Sequence, residues 1–185
     1  MKVFSAGYLN ELTAQAQGNL RKRQHRNIHE NYADPCQRLF NAIEPDSYIP
    51  PHRHATDPKD ELLIAVRGSM ALVTFDGLGM VTRVVHFGAD RSGDGLAVGA
   101  EVAANTWHTV IALEPGCILL EVKAGPFDPS LPKDLAPWAP DEGSPAALPY
   151  FNQLIGLAGL NPTVQISDAG HPLDPTAKCH RPSDS

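Results

Sequence analysis

Three separate stretches of alternating sequence each carry ligand-type side chains on one face, so a chain that unites them must curl a sheet around them. Successive side chains of a strand point to opposite faces. In PHRHATDPKDELLIAVRG, from Pro51 to Gly68, His52 and His54 share a face, and Tyr48 and Pro50 before them continue it. Glu61 opens a second run and shares its face with Leu63 and Ala65. Far downstream, NTWHTVIALEPG places Thr106, His108, Val110 and Ala112 together. Imidazoles and a carboxylate meeting at one point can hold a divalent metal. Only a closed or nearly closed β architecture brings these runs to one cavity, so the expected ligands are His52, His54, Glu61 and His108.

The surrounding pattern agrees. From Pro35 onward the apolar period is two, and CQRLFNAIEPDSYIPPHRH reads as a strand, a turn at Glu44-Pro45-Asp46-Ser47 and the His-x-His strand. Arg38 and Asn41 interrupt the first of these on opposite faces, and a polar side chain inside a barrel needs a partner. Arg38 is the expected pocket residue of the two. The run from Glu61 to Gly88 divides into three strands with tight turns at Arg67-Gly68 and Asp76-Gly77, the Asp-Gly pair being a hairpin signal. LAVGAEVAANTWHTVIALEPGCILLEVKAGPF supplies the remaining strands, and in the last of them Glu121 and Lys123 share a face.

The ends differ from this centre. GYLNELTAQAQ has helical spacing and stops at Gly18-Asn19, after which Arg21, Lys22, Arg23 and Arg26 form a basic segment. Beyond Gly125 lie most of the 17 prolines, too dense for strands. PFDPSLPKDLAPWAPDEG reads as an extended strap anchored by Trp138, and LPYFNQLIGLAGL as a short docked helix. The last residues, with His171, Cys179 and His180, read as a mobile tail whose spacing fits no zinc pattern. The expected division is 1–30, an N-terminal helix and basic segment packed on the barrel; 31–125, the barrel; and 126–185, strap, helix and tail. A net charge of −6 has the wrong sign for general nucleic-acid binding. No apolar stretch approaches the roughly 20 residues a membrane helix needs. The 3 cysteines, Cys36, Cys117 and Cys179, lie far apart without a C-x-x-C, which fits a reducing cytoplasm.

The segment from Pro51 to Gly68 resembles the first cupin motif, with Glu61 to Gly68 keeping its Glu-to-Gly spacing and His108 in the place of the second motif's histidine. More narrowly, RKRQHRNIHE, DPCQRLFNAIEPDSYIPPHRH, TWHTVIALEPG and EVKAGPFDP with APWAP are similar to the WbuC family of cupin-fold metalloproteins, across roughly residues 8 to 143. The resemblance implies an all-β, cupin-type jelly-roll barrel with a bound metal, in a family linked to surface-polysaccharide gene clusters. The chain departs from the general pattern in placing six residues between His54 and Glu61, an insertion expected to bulge before the strand. In the second motif Ala103, Asn105 and Ala112 stand where Pro, Gly and Asn are usual. Asn105 is a tolerable exchange, because Asn enters the left-handed region more easily than most residues.

The expected cofactor is one divalent ion, with zinc, iron, manganese, nickel and copper all compatible with imidazole and carboxylate ligands. Such a centre polarises a carbonyl or hydroxyl, lowers the pKa of bound water, or activates dioxygen when it is iron. Glu121 and Tyr48 are the candidate acid or base. Arg38, Asn41, Arg23 and Lys123 are the candidate contacts to a small anionic or sugar-like ligand. Three functions are open: a metal-dependent isomerase, lyase or oxygenase; a metal-dependent binding module without catalysis; and a metal-free sugar epimerase whose histidines transfer protons. A homodimer is compatible with any of them.

Overall fold

A computed structural model describes residues 1–89, 96–131 and 133–160. Helix α1 (Ala6–Gly18) is followed by β1 (Arg23–Asn27), β2 (Cys36–Ile43), β3 (His52–Arg53), β4 (Glu61–Arg67), β5 (Ser69–Phe75) and β6 (Val81–Gly88). Then come β7 (Gly99–Val102), β8 (Trp107–Ala112), β9 (Cys117–Ala124), β10 (Asp134–Leu135) and α2 (Ala147–Leu160). Two five-stranded antiparallel sheets result, ordered β1-β2-β9-β4-β7 and β10-β3-β8-β5-β6. This is the closed β architecture that the alternating runs require, and the cupin-type jelly roll that the resemblance implied. The expected mobile tail, with His171, Cys179 and His180, lies outside the described residues.

Strict alternation divides the molecule into three layers of apolar packing. Between the sheets lie Ile43, Leu63, Ala65, Met70, Leu72, Phe87, Val110, Ala112, Cys117 and Leu119. The opposite side chains of β2 and β9, Phe40, Ala42 and Ile118, meet Leu12 and Ala16 of α1 on the outside of the first sheet. Ala71, Val73, Phe75 and Ile111 meet Phe151, Leu154 and Ala158 of α2 on the outside of the second. Burying a side chain such as Leu12 contributes about 2 kcal/mol. Ser5 starts α1, its hydroxyl accepting from the Tyr8 amide at 3.2 Å, and the helix stops at Gly18 with Asn19 as its cap.

Two turns differ from expectation. Gly68 does not close a hairpin: it stands between β4 and β5, which belong to different sheets, and so turns the chain from one sheet to the other. Its φ of +72° lies in the left-handed region, and a Cβ there would stand 2.6 Å from the Cys117 sulfur. Between β5 and β6 the turn is longer than an Asp-Gly pair. The Asp76 carboxylate accepts from the amides of Leu78 and Met80, each at 2.9 Å, and Gly79 rather than Gly77 takes the positive φ. Capping of backbone amides by the aspartate stabilises the wider loop.

The prolines confine the C-terminal strap to two strand residues, β10, added at the edge beside β3. Trp138 anchors the strap as expected, its ring 5.0 Å from Phe75 and 6.2 Å from Trp107. Among the described residues no helix is long and apolar enough to cross a membrane.

Candidate metal centre

The polar end of the barrel interior is built by cross-strand pairing. His52 of β3 lies directly opposite His108 of β8, so both rings project from the same face, with centroids 4.6 Å apart. His54, two residues on, has its ring 5.6 Å from that of His52. Glu61 heads β4 in the facing sheet, after a bend at Thr56 and Asp57 that absorbs the long connection from His54. The Glu61 carboxylate lies 3.0 Å from His54 Nε2 and 3.2 Å from His108 Nε2. Asn105, with φ of +64°, forms the turn that leads into β8 and His108. All four sequence-expected ligands therefore come together.

The backbone orients two of the rings. His52 Nδ1 lies 3.0 Å from the Pro50 carbonyl and His108 Nδ1 lies 2.8 Å from the Thr106 carbonyl. A carbonyl only accepts, so each Nδ1 carries the proton and each Nε2 turns inward. Fixing a ligand imidazole by a hydrogen bond at its other nitrogen is the usual support of a metal-bound histidine. Burial, with the Lys133 charge and His108 beside it, holds the His52 pKa well below the ordinary 6.5, so its ring is neutral at pH 7.

Glu61 is almost wholly buried at 3% exposure. Burial alone would raise its pKa. The hydrogen bonds with His108 and His54 and the charge of Lys123 outweigh it and hold the carboxyl well below its usual range. Lys123, paired across the sheet with Glu61, gives its ammonium to Glu61 at 2.8 Å and to Glu121 at 3.0 Å. Burial works against that charge, but Glu121 and Glu61 prevail and its pKa stands above the ordinary lysine value. As it stands, no group of three His, Cys, Asp or Glu among the described residues surrounds a point at metal-ligand geometry. The Glu61 oxygens lie against the Nε2 atoms of His54 and His108, with Lys123 drawing on the same carboxylate.

By side-chain type, three imidazoles and a carboxylate are donors that divalent ions take. With Nδ1–H of His108 given to Thr106, a neutral ring presents its Nε2 lone pair to the Glu61 carboxylate at 3.2 Å. Two acceptors at that distance repel unless a proton or another cation lies between them.

Of the remaining sequence-expected residues, Glu121 and Lys123 face this interior and Tyr48 does not. The Tyr48 hydroxyl donates to the Pro140 carbonyl at 2.9 Å and its ring packs with Phe151 of α2, outside the second sheet. The residues between β2 and β3 are not strand, so the alternation that would have placed Tyr48 with the imidazoles does not operate there. Burial raises the Tyr48 pKa above its ordinary 10.0, a poor setting for a general base.

The order of Arg38 and Asn41 is reversed. Arg38 is on the α1 side of β2, like Phe40 and Ala42, and pairs with Asp34 at 3.0 Å. Asn41 faces the interior opposite Leu119, with its buried side-chain oxygen unpartnered among the described residues. Arg23 points inward too, but it is engaged by Glu142 of the strap at 2.7 Å and by the Tyr48 carbonyl at 3.0 Å.

Sequence reasoning missed Lys133. Leu135 pairs with His52 and Asp134 with Arg53, and Lys133 directly precedes this short edge strand. Lys133 is exposed. Desolvation and the charge of Arg23 lower its pKa to about 8, against the opposing pull of Glu121 and Glu61. Its only signal was one lysine in a proline-rich strap.

The fold and this site define a cupin-type barrel with a histidine- and carboxylate-lined interior. Residues 4–87 match the model of a domain of unknown function, DUF6016. No curated protein sequence is similar to this chain. Among solved structures, a protein from Shewanella oneidensis superposes with a TM-score of 0.52 at 11% identity, over 76% of this chain and 86% of that one. KdgF from a Halomonas species superposes with a TM-score of 0.45 at 14% identity, over 59% and 85%. Oxalate decarboxylase from Bacillus subtilis gives 0.45 at 18% identity, over 61% of this chain and 27% of that one. These are likenesses of fold.

Proposed function

We propose that this chain is a metal-dependent cupin acting on a small polar or anionic molecule such as a sugar derivative, with His52, His54, His108 and Glu61 holding the ion. The observation that carries the reading is the inward meeting of His108 Nε2 and the Glu61 carboxylate while His108 Nδ1 is given to Thr106. When bound there, a divalent ion supplies Lewis acidity toward a carbonyl or hydroxyl oxygen. The chain's own residues do the rest. The carbonyls of Pro50 and Thr106 hold the rings in one tautomer, and the apolar interior of Leu63, Val102 and Val110 limits water. Glu121, held by Lys123, is the group placed to take or return a proton at its carboxylate. The motif likeness to the WbuC family supports a place in surface-polysaccharide chemistry.

Elemental analysis of untagged protein, purified without added metal, is expected to find about one transition-metal ion per chain. No stoichiometric metal even after reconstitution would overturn the reading. A second reading then gains. The contacts of Glu61 with His54, His108 and Lys123 resemble a proton-transfer network, as in a metal-free epimerase. That reading predicts solvent-proton exchange into a sugar substrate without metal.

A further inference from the structure

One cation already stands at the centre, and it belongs to the chain. Lys123 of β9 lies directly opposite Glu61 of β4, and Glu121, two residues earlier on the same face of β9, lies opposite Leu63. The Lys123 ammonium is 2.8 Å from Glu61 Oε1 and 3.0 Å from Glu121 Oε1, and its side chain is 15% exposed. The Glu61 oxygen it holds is also the one 3.0 Å from His54 Nε2, while the other oxygen lies 3.2 Å from His108 Nε2. The ammonium thus occupies an oxygen through which Glu61 would ligate an ion. Glu61 and Glu121 bring two negative charges and Lys123 one positive charge at pH 7. A divalent ion arriving at Glu61 meets that positive charge across a shared carboxylate, where like charges repel more strongly than in water.

We infer that Lys123 is a resident counter-cation that competes with the ion for Glu61 and so sets the affinity of the centre, while Glu121 opposes it by drawing the ammonium toward itself. The inference rests on the proposed function for the identity of the ligands. Without the ammonium, two neighbouring carboxylates have no shared counter-charge, a deficit that a divalent ion makes good. Without the Glu121 charge, Lys123 is left to Glu61 alone and holds it more firmly. The two substitutions therefore act in opposite directions. A purely structural part for these residues predicts the reverse, because loosening the wall of the site by either change would weaken binding alike.

The test is competition titration of Zn²⁺ against a chelator of known affinity, on the full chain stripped of metal. Lys123→Met is expected to bind Zn²⁺ about tenfold more tightly than wild type, or tighter still. Lys123→Arg keeps the charge and is expected to stay near wild type. Glu121→Gln is expected to weaken Zn²⁺ by about threefold or more, with unchanged circular dichroism. Should Lys123→Met fail to fold without metal, Glu121→Gln decides by itself. Zn²⁺ binding that is unchanged or weaker in folded Lys123→Met, or unchanged or tighter in Glu121→Gln, would overturn the inference. The same titrations separate it from the metal reading. Zn²⁺ held by Lys123→Met but not by wild type fails the metal reading of the native chain and supports the resident cation. Zn²⁺ held equally by both sustains the metal reading and fails this inference alone. No Zn²⁺ on either protein overturns both.

Discussion

His108 and Glu61 face each other across the barrel at 3.2 Å, while the far nitrogen of the same imidazole is bound to the Thr106 carbonyl at 2.8 Å. The ring cannot offer a proton in both directions and stay neutral, so the contact calls for either a second proton on the imidazole or another cation. His108→Ala removes one side of that demand and is expected to strip most of the metal while the barrel stays folded. Glu61→Gln keeps the shape, retains three imidazoles and is expected to weaken metal binding by about tenfold. Metal-to-protein ratios after dialysis against a graded chelator check both. A Glu61→Gln protein that loses metal more readily than His108→Ala would reverse the assigned importance of the two groups.

Acid is expected to destabilise the fold in two stages. The His52 pKa is lowered on folding, so below about 6.5 the unfolded chain binds a proton that the folded chain refuses, and stability falls as pH drops. Glu61 is also lowered; its contribution is present above its unfolded value of 4.5 and is lost as pH falls further, toward its depressed folded value. Metal release acts in the same direction, because ligand imidazoles must be unprotonated. Thermal midpoints from pH 8 to pH 4 on chelator-treated protein should fall on acidification, and His52→Phe should flatten the decline near pH 6. A midpoint that rises on acidification would contradict both shifts.

Gly68 sets the crossing from one sheet to the other. Gly68→Ala must hold a φ of +72° and place its Cβ 2.6 Å from the buried Cys117 sulfur. The left-handed backbone alone costs about 1–2 kcal/mol, and the overlap adds to it because Cys117 is fully buried. Gly77→Ala, with open space around the new methyl, is the control and is expected to be nearly neutral. Urea unfolding of both variants reads the difference.

The sequence made the four inward ligand-type residues legible because period-two alternation survives wherever a strand is continuous. His108 with Val110 and Ala112, and Glu61 with Leu63 and Ala65, point where their spacing says. The same rule misplaced Tyr48, since Pro50 and Pro51 end the alternation before β3 begins. It could separate Arg38 from Asn41 but could not say which face was inside. That was decided by α1 covering Phe40 and Ala42, a contact between segments far apart in the chain. Lys133 was illegible for a related reason. Its place follows from the pairing of two-residue β10 with β3, and no local pattern marks so short a strand.

The strap that carries Lys133 is held to the barrel partly by Arg23. Its guanidinium meets both oxygens of Glu142 at 2.7 and 2.8 Å, and it also donates to the Tyr48 carbonyl and the Ser47 hydroxyl. The Arg23 side chain is 11% exposed and that of Glu142 is 29% exposed, so the pair lies between a surface ion pair and a buried one. Surface pairs contribute at most about 1 kcal/mol, and breaking a buried pair costs about 3–5 kcal/mol. Arg23→Met is therefore expected to cost about 2 kcal/mol, because it also leaves the Tyr48 carbonyl without this donor. Glu142→Gln should cost less, as its amide oxygen still accepts and Arg23 keeps its other partners. Neither variant touches the imidazoles, so metal content should be unchanged in both. Urea unfolding and elemental analysis of the two proteins decide the matter. Equal stability losses would place the tie in the charge of Glu142 alone, and metal loss in either would show that the strap also supports the centre.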